Sequence, residues 1–247
     1  AAWHMLKGNK NAAVKKMLSM SLTALLVVSV FQVAVGDYHG LKVRDHQPEK
    51  LAAIEGHWDP VPDGESTPFI LFAIPDQENE RNHFSIEIPY AASLVLTHSL
   101  DGKVDHLKKF PKENRPPVAW VFWSFRVMVG LGFLMVLLGA WGVWQRRKST
   151  LGEKPGFLRF AVMMGPSGLI SVLAGWFVTE IGRQPWLVYH LMRVEEGHSF
   201  TNTATDLTIS LTLFVIAYLT IFAFGVTFLF RILRKGPNST EAPALEK

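Results

Sequence analysis

The sequence predicts an all-α integral membrane protein with four full transmembrane helices, the end of a fifth helix and a mostly irregular extracytoplasmic loop domain. Hydrophobic residues make up 49% of the 247 residues and are concentrated in blocks long enough to cross a bilayer. Basic residues cluster in alternate connections between these blocks, as the positive-inside rule describes. The chain contains no cysteine, which excludes disulfides and thiolate-ligated iron–sulfur clusters within it.

The apolar blocks define the helices in order. The first charge-free run, residues 17–36, is about 30 Å long as a helix and so matches the hydrocarbon core. Gly165 and Pro166 predict a kink in the third transmembrane helix. The opening residues AAWHMLKGNK lack an initiating Met, which indicates the C-terminal part of a longer protein. The predicted segments are 1–36, the end of one helix and a transmembrane helix; 37–116, an extracytoplasmic loop; 117–145, a transmembrane helix; 146–159, a cytoplasmic loop; 160–181, a transmembrane helix; 182–206, an extracytoplasmic loop; 207–230, a transmembrane helix; and 231–247, a cytoplasmic tail.

Charge distribution orients these helices. The basic clusters at residues 7–16, 146–159 and 231–235 fall on one side, which the positive-inside rule assigns to the cytoplasm. The loops 37–116 and 182–206 then lie on the outer side, and the C-terminus lies in the cytoplasm.

The stretch AGWFVTEIGRQPW, residues 174–186, places charge within an apolar helix. An ionised side chain there costs roughly 2.5–3.5 kcal/mol, so it usually has a function. Glu180 and Arg183 are three residues apart and share a helix face, which Trp176 joins four residues before Glu180. This face suits a charged, planar, buried cofactor. The alternative is an ion pair at the membrane interface, with Trp176 and Trp186 as interfacial aromatic residues.

The second transmembrane helix contains two further candidates, Arg126 and Met128. Arg126 is expected about 13 Å below the outer surface, where an arginine needs an anionic partner such as a haem propionate. A methionine thioether binds haem iron opposite a histidine, although most methionines in apolar helices only fill space. No histidine lies in the middle of a transmembrane segment, so the partner of Met128 would lie outside this chain.

The outer loop has one clear helical segment, HQPEKLAAIEGHWD at residues 46–59, with a proline in its first turn and a glycine at its end. Lys50 and Glu55 are five residues apart, about 140° around this helix, so they do not neutralise each other. The alternative is a solvated amphipathic helix with ordinary surface charges. Alternating apolar residues within 68–91 predict an extended segment on the membrane surface.

Five motifs together resemble one family, the subunit I of cytochrome bd-type quinol oxidases, and match its C-terminal portion. They occur in the family's order and between the corresponding helices. The motifs are GDYHG (36–40), QPEKLAAIEGHW (47–58), IPDQENERNHFSIEIP (74–89), FRVMVGLGF (125–133) and AGWFVTEIGRQPW (174–186).

The resemblance implies a role for each candidate residue. The loop 37–116 would bind quinol, with Lys50 and Glu55 acting in its oxidation. Met128 would ligate the low-spin haem b, and Arg126 would lie beside that haem. Glu180 would be a catalytic carboxylate and metal ligand at the high-spin haem pair, formed by haem b with haem d or a second haem b. The remaining cofactor-binding residues would be Trp176 and Arg183, packed around the high-spin pair.

The resemblance also implies the reaction and its setting. Quinol (ubiquinol or menaquinol) would be oxidised at the outer face of a bacterial inner membrane, with loop 37–116 periplasmic, and dioxygen reduced to water without proton pumping. The partners would be a second membrane subunit, a very small third subunit and the lipid bilayer, with no nucleic acid. The short segment between His98 and Pro117 is typical of the short-loop, cyanide-insensitive branch.

Two alternative functions stay open on the sequence. One is the cytochrome b subunit of a quinone-linked dehydrogenase, which would need two or more histidines within the transmembrane segments. The other is a haem-free membrane receptor or scaffold with an extracytoplasmic domain.

Overall fold

The structure, a computed structural model, describes residues 1–62, 64–197 and 203–236, so most of the predicted tail 231–247 lies outside the described residues. The helices are α1 (Ala2–Leu6), α2 (Ala12–His46), α3 (Pro48–Glu55), α4 (Ala91–Thr97), α5 (Val118–Arg147), α6 (Pro155–Met163), α7 (Ser167–Ile181) and α8 (Ala204–Lys235). The strands are β1 (Phe69–Asp76), β2 (Arg81–Ile88), β3 (Trp186–Val188) and β4 (Met192–Arg193), and short 3-10 turns lie at Leu107–Lys109, Lys112–Asn114 and Val194–Glu196.

Four helices in the described part of the chain are long and apolar enough to cross a membrane: α2, α5, the pair α6–α7, and α8. This confirms the predicted fold class and the number of full transmembrane helices. The break between α6 and α7 falls at residues 164–166, because Pro166 has no N–H to continue the helical hydrogen bonds. The kink predicted at Gly165 and Pro166 is therefore confirmed.

Helix α2 is longer than the apolar run that predicted it. The outer loop was expected to begin at residue 37, but α2 continues to His46, which adds about 15 Å of helix. The side chains of Asp37, Arg44 and Asp45 in this extension are 38–49% exposed. An apolar run identifies only the part of a helix that can contact lipid. The last turns of α2 are polar, so the helix continues beyond its apolar run.

The long loop that was predicted over residues 37–116 is more regular than expected. Instead of one extended segment over residues 68–91, β1 and β2 form an antiparallel hairpin with Phe69 opposite Ile88 and Asp76 opposite Arg81. Asp76 stabilises the connecting turn, because its two carboxylate oxygens accept hydrogen bonds from the backbone N–H and the side-chain amide of Asn79, at 3.0 and 2.8 Å.

Helix α5 is the centre of the packing and contacts α2, α3, α7 and β1. Its approach to α2 is closest at Gly139, where an added Cβ would lie 2.8 Å from the Cβ and 2.9 Å from the Cα of Leu26. Helix α8 differs, since none of its residues is buried against the rest of the described chain.

We predict that Gly139→Ala separates α2 from α5 and lowers the melting temperature of the assembled protein, because overpacking of this kind costs about 1–3 kcal/mol. Gly132→Ala is the matched control, because Gly132 lies on the same helix and an added Cβ would meet nothing within 4 Å. Equal melting temperatures for the two variants would show that the α2–α5 approach does not require glycine.

Candidate functional site

The short helix α3 is enclosed by the transmembrane helices. Pro48 lies in its first turn, and Gly56 ends it in the left-handed conformation at φ +76. All seven residues from Glu49 to Glu55 are buried. Its apolar residues, including Ala52 and Ile54, pack with Val121 of α5 and Val178 of α7. The alternative of a solvated amphipathic helix is therefore wrong.

Gly56 is required by its surroundings as well as by its backbone. An added Cβ would lie 2.8 Å from the ring of Phe122 on α5. Few residues other than glycine adopt its positive φ readily. The end of α3 thus contacts α5 directly, and this contact fixes the position of the preceding residue, Glu55.

Glu55 is a buried carboxyl with one unpaired oxygen. Its residue is only 2% exposed, and Oε2 makes no hydrogen bond within the described part of the chain. Burial raises the pKa of Glu55 to about 7, and the positive charge of Arg126 opposes that rise. A carboxyl with such a pKa takes up and releases protons at physiological pH.

Arg126 joins three elements through backbone carbonyls. Its Nη1 donates to Ile54 O at 2.7 Å and Phe122 O at 3.0 Å, and its Nη2 donates to Glu55 O at 3.4 Å. Nε donates to Ile70 O at 2.9 Å, and Nη2 donates to the same oxygen. All five guanidinium N–H groups are therefore used. Carbonyl dipoles of α3, β1 and α5 thus supply its hydrogen-bond acceptors within the described residues, and the anionic partner expected for Arg126 stays a prediction.

Lys50 occupies the other side of α3 and contacts the end of α7. The residue is 6% exposed, and its stem lies against Gly182, where an added Cβ would be 2.9 Å from Lys50 Cγ. Burial lowers the pKa of Lys50, the charge of Arg183 lowers it further, and Glu180 opposes both. The structure thus brings Lys50 close to Glu180 and Arg183, a proximity that the sequence did not predict.

Trp176 and Glu180 on α7 are exposed, whereas Arg183 just beyond the helix is half-buried. Trp176 is 59% exposed, and among the described residues its ring stacks on its neighbour Phe177, with ring centroids 6.3 Å apart. Glu180 is also exposed, and within the described residues no salt bridge joins it to Arg183. The alternative of an interfacial Glu180–Arg183 ion pair is therefore not supported.

Met128 lies between α5 and α7. Gly175 leaves room for its thioether, since an added Cβ there would be 2.9 Å from Met128 Sδ. Ser171 of α7 donates to the backbone oxygen of Met128 at 3.3 Å. Met128 as a residue is half-buried between the two helices.

Comparison with known proteins decides the family. The family model described as cytochrome bd terminal oxidase subunit I matches residues 1–237. The chain belongs to the cytochrome bd terminal oxidase subunit I family. The family predicted from the five motifs is therefore confirmed, and with the four apolar helices it makes this a multi-pass protein of a bacterial inner membrane.

Similar proteins support this membership over nearly the whole chain. Subunit 1 of the cytochrome bd ubiquinol oxidase of Bacillus subtilis (strain 168) is 31% identical over 96% of this chain and 52% of its own length. The bd oxidase structure from Geobacillus thermodenitrificans superposes with a TM-score of 0.82 at 33% identity, covering 96% of this chain and 53% of that chain. The chain thus spans about half the length of the relatives it matches.

A third relative is longer than this chain over the aligned region. Subunit 1 of the cytochrome bd-II ubiquinol oxidase of Escherichia coli (strain K12) is 28% identical over 311 residues, covering 98% of this chain and 59% of its own length. That alignment is longer than the 247 residues of this chain, so the relative contains inserted residues that this chain lacks.

Haem is the cofactor that the family implies, and most of the predicted residues fit it. Met128 offers a thioether on a half-buried residue, and Trp176 with Glu180 offers an exposed aromatic plane and carboxylate on a membrane helix. Polar groups exposed on such a helix need a partner that is not lipid. Arg126 fits less well as a propionate donor, because all its N–H groups already have acceptors.

Two residues of the site were missed from the sequence. Glu49 is 4% exposed, and His190 Nε2 lies 2.9 Å from its Oε1. An acidic residue in the first turn of a helix is common and needs no functional explanation, so nothing in the sequence marks Glu49 as a site residue. His190 lies 141 residues further along the chain, and only the tertiary fold brings the two together.

Proposed function

We propose that this chain forms the quinol-oxidising part of subunit I of a terminal respiratory oxidase, together with one wall of its haem sites. Electrons from quinol pass through haems to dioxygen, which is reduced to water, and proton release outside generates a proton motive force without pumping. The observation that supports this best is the burial of Lys50 and Glu55 on α3, between helices α5 and α7.

Helix α3 supplies the chemistry that quinol oxidation needs. A quinol loses its protons as it loses electrons, so a nearby base speeds the reaction. Glu55 has a pKa of about 7 and an unpaired oxygen, which suits it as that base. Lys50, on the other side of α3, can donate to a quinol oxygen as negative charge develops there.

The haem environment follows from the two transmembrane helices that hold α3. Bound haem supplies one-electron transfer and dioxygen reduction. On α5, Met128 would ligate the low-spin haem b, and Arg126 would position α3 beside it. On α7, Trp176 would pack against the high-spin pair, Glu180 would bind its iron or carry protons, and Arg183 would balance the charge. The high-spin pair would contain haem b and either haem d or a second haem b.

The proposed setting follows the distribution of charge. The loop 37–116 would face the periplasm and the C-terminus the cytoplasm. The exposed apolar surface of α8 would be covered by lipid, by the remainder of subunit I or by a second membrane subunit, with a very small third subunit as a further partner. Ubiquinol or menaquinol would be the electron donor.

Quinol-dependent oxygen uptake by the full-length subunit, purified with its partner subunit, tests this proposal. Uptake is expected with ubiquinol or menaquinol and absent without quinol. A complex that binds haem but consumes no oxygen would instead fit the cytochrome of a quinone-linked dehydrogenase. A folded complex without haem would fit a receptor or scaffold.

We predict that Met128→Leu changes the low-spin haem spectrum and leaves the fold intact, because the exchange nearly conserves volume while removing the thioether. Met135→Leu is the matched control, since Met135 is a half-buried methionine on the same helix that packs in a different cluster. If Met128→Leu and Met135→Leu give the same reduced haem spectrum, Met128 is not an iron ligand.

A further inference from the structure

A buried carboxylate and an exposed histidine are linked beside the proposed quinol site. Glu49 immediately precedes Lys50 on α3, and its side chain is 6% exposed. Its Oε1 lies 2.9 Å from His190 Nε2, in the turn between β3 and β4. The side chain of His190 is 54% exposed. The pair therefore connects the enclosed helix α3 with the outer surface.

The surroundings of the pair contain further polar atoms without partners. The ring of His190 stacks on Tyr189, with centroids 4.2 Å apart, and meets Trp186 edge-on at 5.2 Å. Glu49 Oε2, Trp186 Nε1 and Tyr189 Oη are buried and make no hydrogen bond among the described residues. Buried polar atoms are normally paired, so three such atoms around the Glu49–His190 hydrogen bond leave hydrogen-bonding capacity for a further polar group, such as water.

The charged groups around the pair come from three elements. Lys50 lies next to Glu49 on α3. Arg183, which follows α7, is close enough for its charge to lower the pKa of Lys50. Arg193 of β4 lies 5.1 Å from the ring of Trp186 and donates to Asn114 Oδ1 at 2.7 Å.

The backbone gives no reason for a histidine at position 190. His190 has φ +56, in the left-handed region that glycine and asparagine adopt most readily. A glycine would fit this turn with less strain. The imidazole is therefore better explained by what its ring does than by the conformation of the turn.

Resting on the proposed function, we propose that Glu49 and His190 are a proton relay for quinol oxidation. Each quinol becomes a quinone by giving two electrons to oxidised haem iron and releasing two protons. Glu55 takes one proton. The Glu49 carboxylate takes the other and passes it from Oε1 to Nε2 of His190, whose Nδ1 then releases its own proton to the outer solution.

Chemical rescue distinguishes this role from a structural one. In the full-length complex with its partner subunit, His190→Gly and Glu49→Gln are expected to lower quinol-dependent oxygen uptake about 10-fold or more, with unchanged haem spectra. Imidazole in the buffer should restore His190→Gly several-fold, because it reaches the vacated surface position, and should leave Glu49→Gln slow. Oxygen uptake driven by a one-electron donor that carries no protons should equal that of wild type in both variants.

His98→Gly is the matched control. His98 also has a positive φ, at +53, and an exposed side chain paired with a carboxylate, since its Nε2 lies 3.4 Å from Asp37 Oδ2. It should keep the wild-type rate and show no response to imidazole.

Two results would overturn the relay. One is wild-type quinol oxidation by His190→Gly, and the other is a slow His190→Gly that imidazole does not restore. If His190→Gly fails to assemble, His190→Asn replaces it, because asparagine accepts the positive φ but cannot titrate, and an unchanged rate would then reject the relay. A wild-type complex that oxidises no quinol would reject the proposed function itself.

Discussion

Glu55→Gln is expected to lower quinol-dependent oxygen uptake by about 100-fold or more while the haem content stays unchanged, because an amide cannot accept the quinol proton. The pH dependence should change as well. The base must be ionised, and the pKa of Glu55 is about 7, so the wild-type rate should rise as the pH increases from 6 to 8. The variant should lose this rise.

Stability separates this chemical effect from damage to the fold. Because burial raises the pKa of Glu55 from its ordinary 4.5 to about 7, the carboxyl favours folding most below pH 4.5 and loses that contribution as the pH rises to 7. Above pH 7 the buried anion costs about 3 kcal/mol relative to the neutral form. Glu55→Gln should therefore be slower than wild type at pH 8 and yet melt at a higher temperature.

Glu65→Gln provides the control for Glu55→Gln, because Glu65 is an exposed glutamate of the same loop. Its rate and melting temperature should match those of wild type. A Glu55→Gln complex that oxidises quinol at the wild-type rate would show that another group is the base.

Arg126→Lys is expected to destabilise the complex and weaken quinol binding, although it keeps the charge. An ammonium has three N–H groups, so it cannot replace the five bonds through which Arg126 holds Ile54, Glu55, Ile70 and Phe122. Each buried carbonyl left unpaired costs about 1–3 kcal/mol. The melting temperature should fall by about 5–10 °C, and the quinol KM should rise more than kcat falls.

Arg146→Lys is the matched control for Arg126→Lys. Arg146 lies on the same helix, is exposed, and donates to Ser19 Oγ at 3.2 Å and to Thr23 Oγ1 at 2.8 Å. A wild-type melting temperature for Arg126→Lys, combined with a shifted potential of the low-spin haem, would contradict the anchoring role and favour a direct action on the haem.

Local features of the fold were predictable because they depend on neighbouring residues. The ends of α3 follow from Pro48 and Gly56, and the break before α7 follows from Pro166. The four membrane helices follow from the length of their apolar runs. The polar extension of α2 to His46 was not predicted, because a hydropathy profile identifies segments that can contact lipid and does not identify polar helical turns.

Long-range features of the candidate site were not predictable from one sequence. The sequence predicts an anionic partner for Arg126, but nothing near it in the sequence shows that it donates to the carbonyl oxygens of Ile54 and Ile70. The proximity of Lys50 to Glu180 likewise depends on how α3 packs against the end of α7. The side chains were identified correctly as unusual, but their neighbours are set by tertiary packing.

The most direct test of the quinol oxidase function is the visible spectrum of the full-length complex, recorded without oxygen before and after addition of quinol alone. The proposal predicts that quinol produces the bands of reduced b-type haem, with a further band toward the red if haem d is present. Haem bands that appear with a strong chemical reductant but not with quinol, or a folded complex without any haem band, would contradict it.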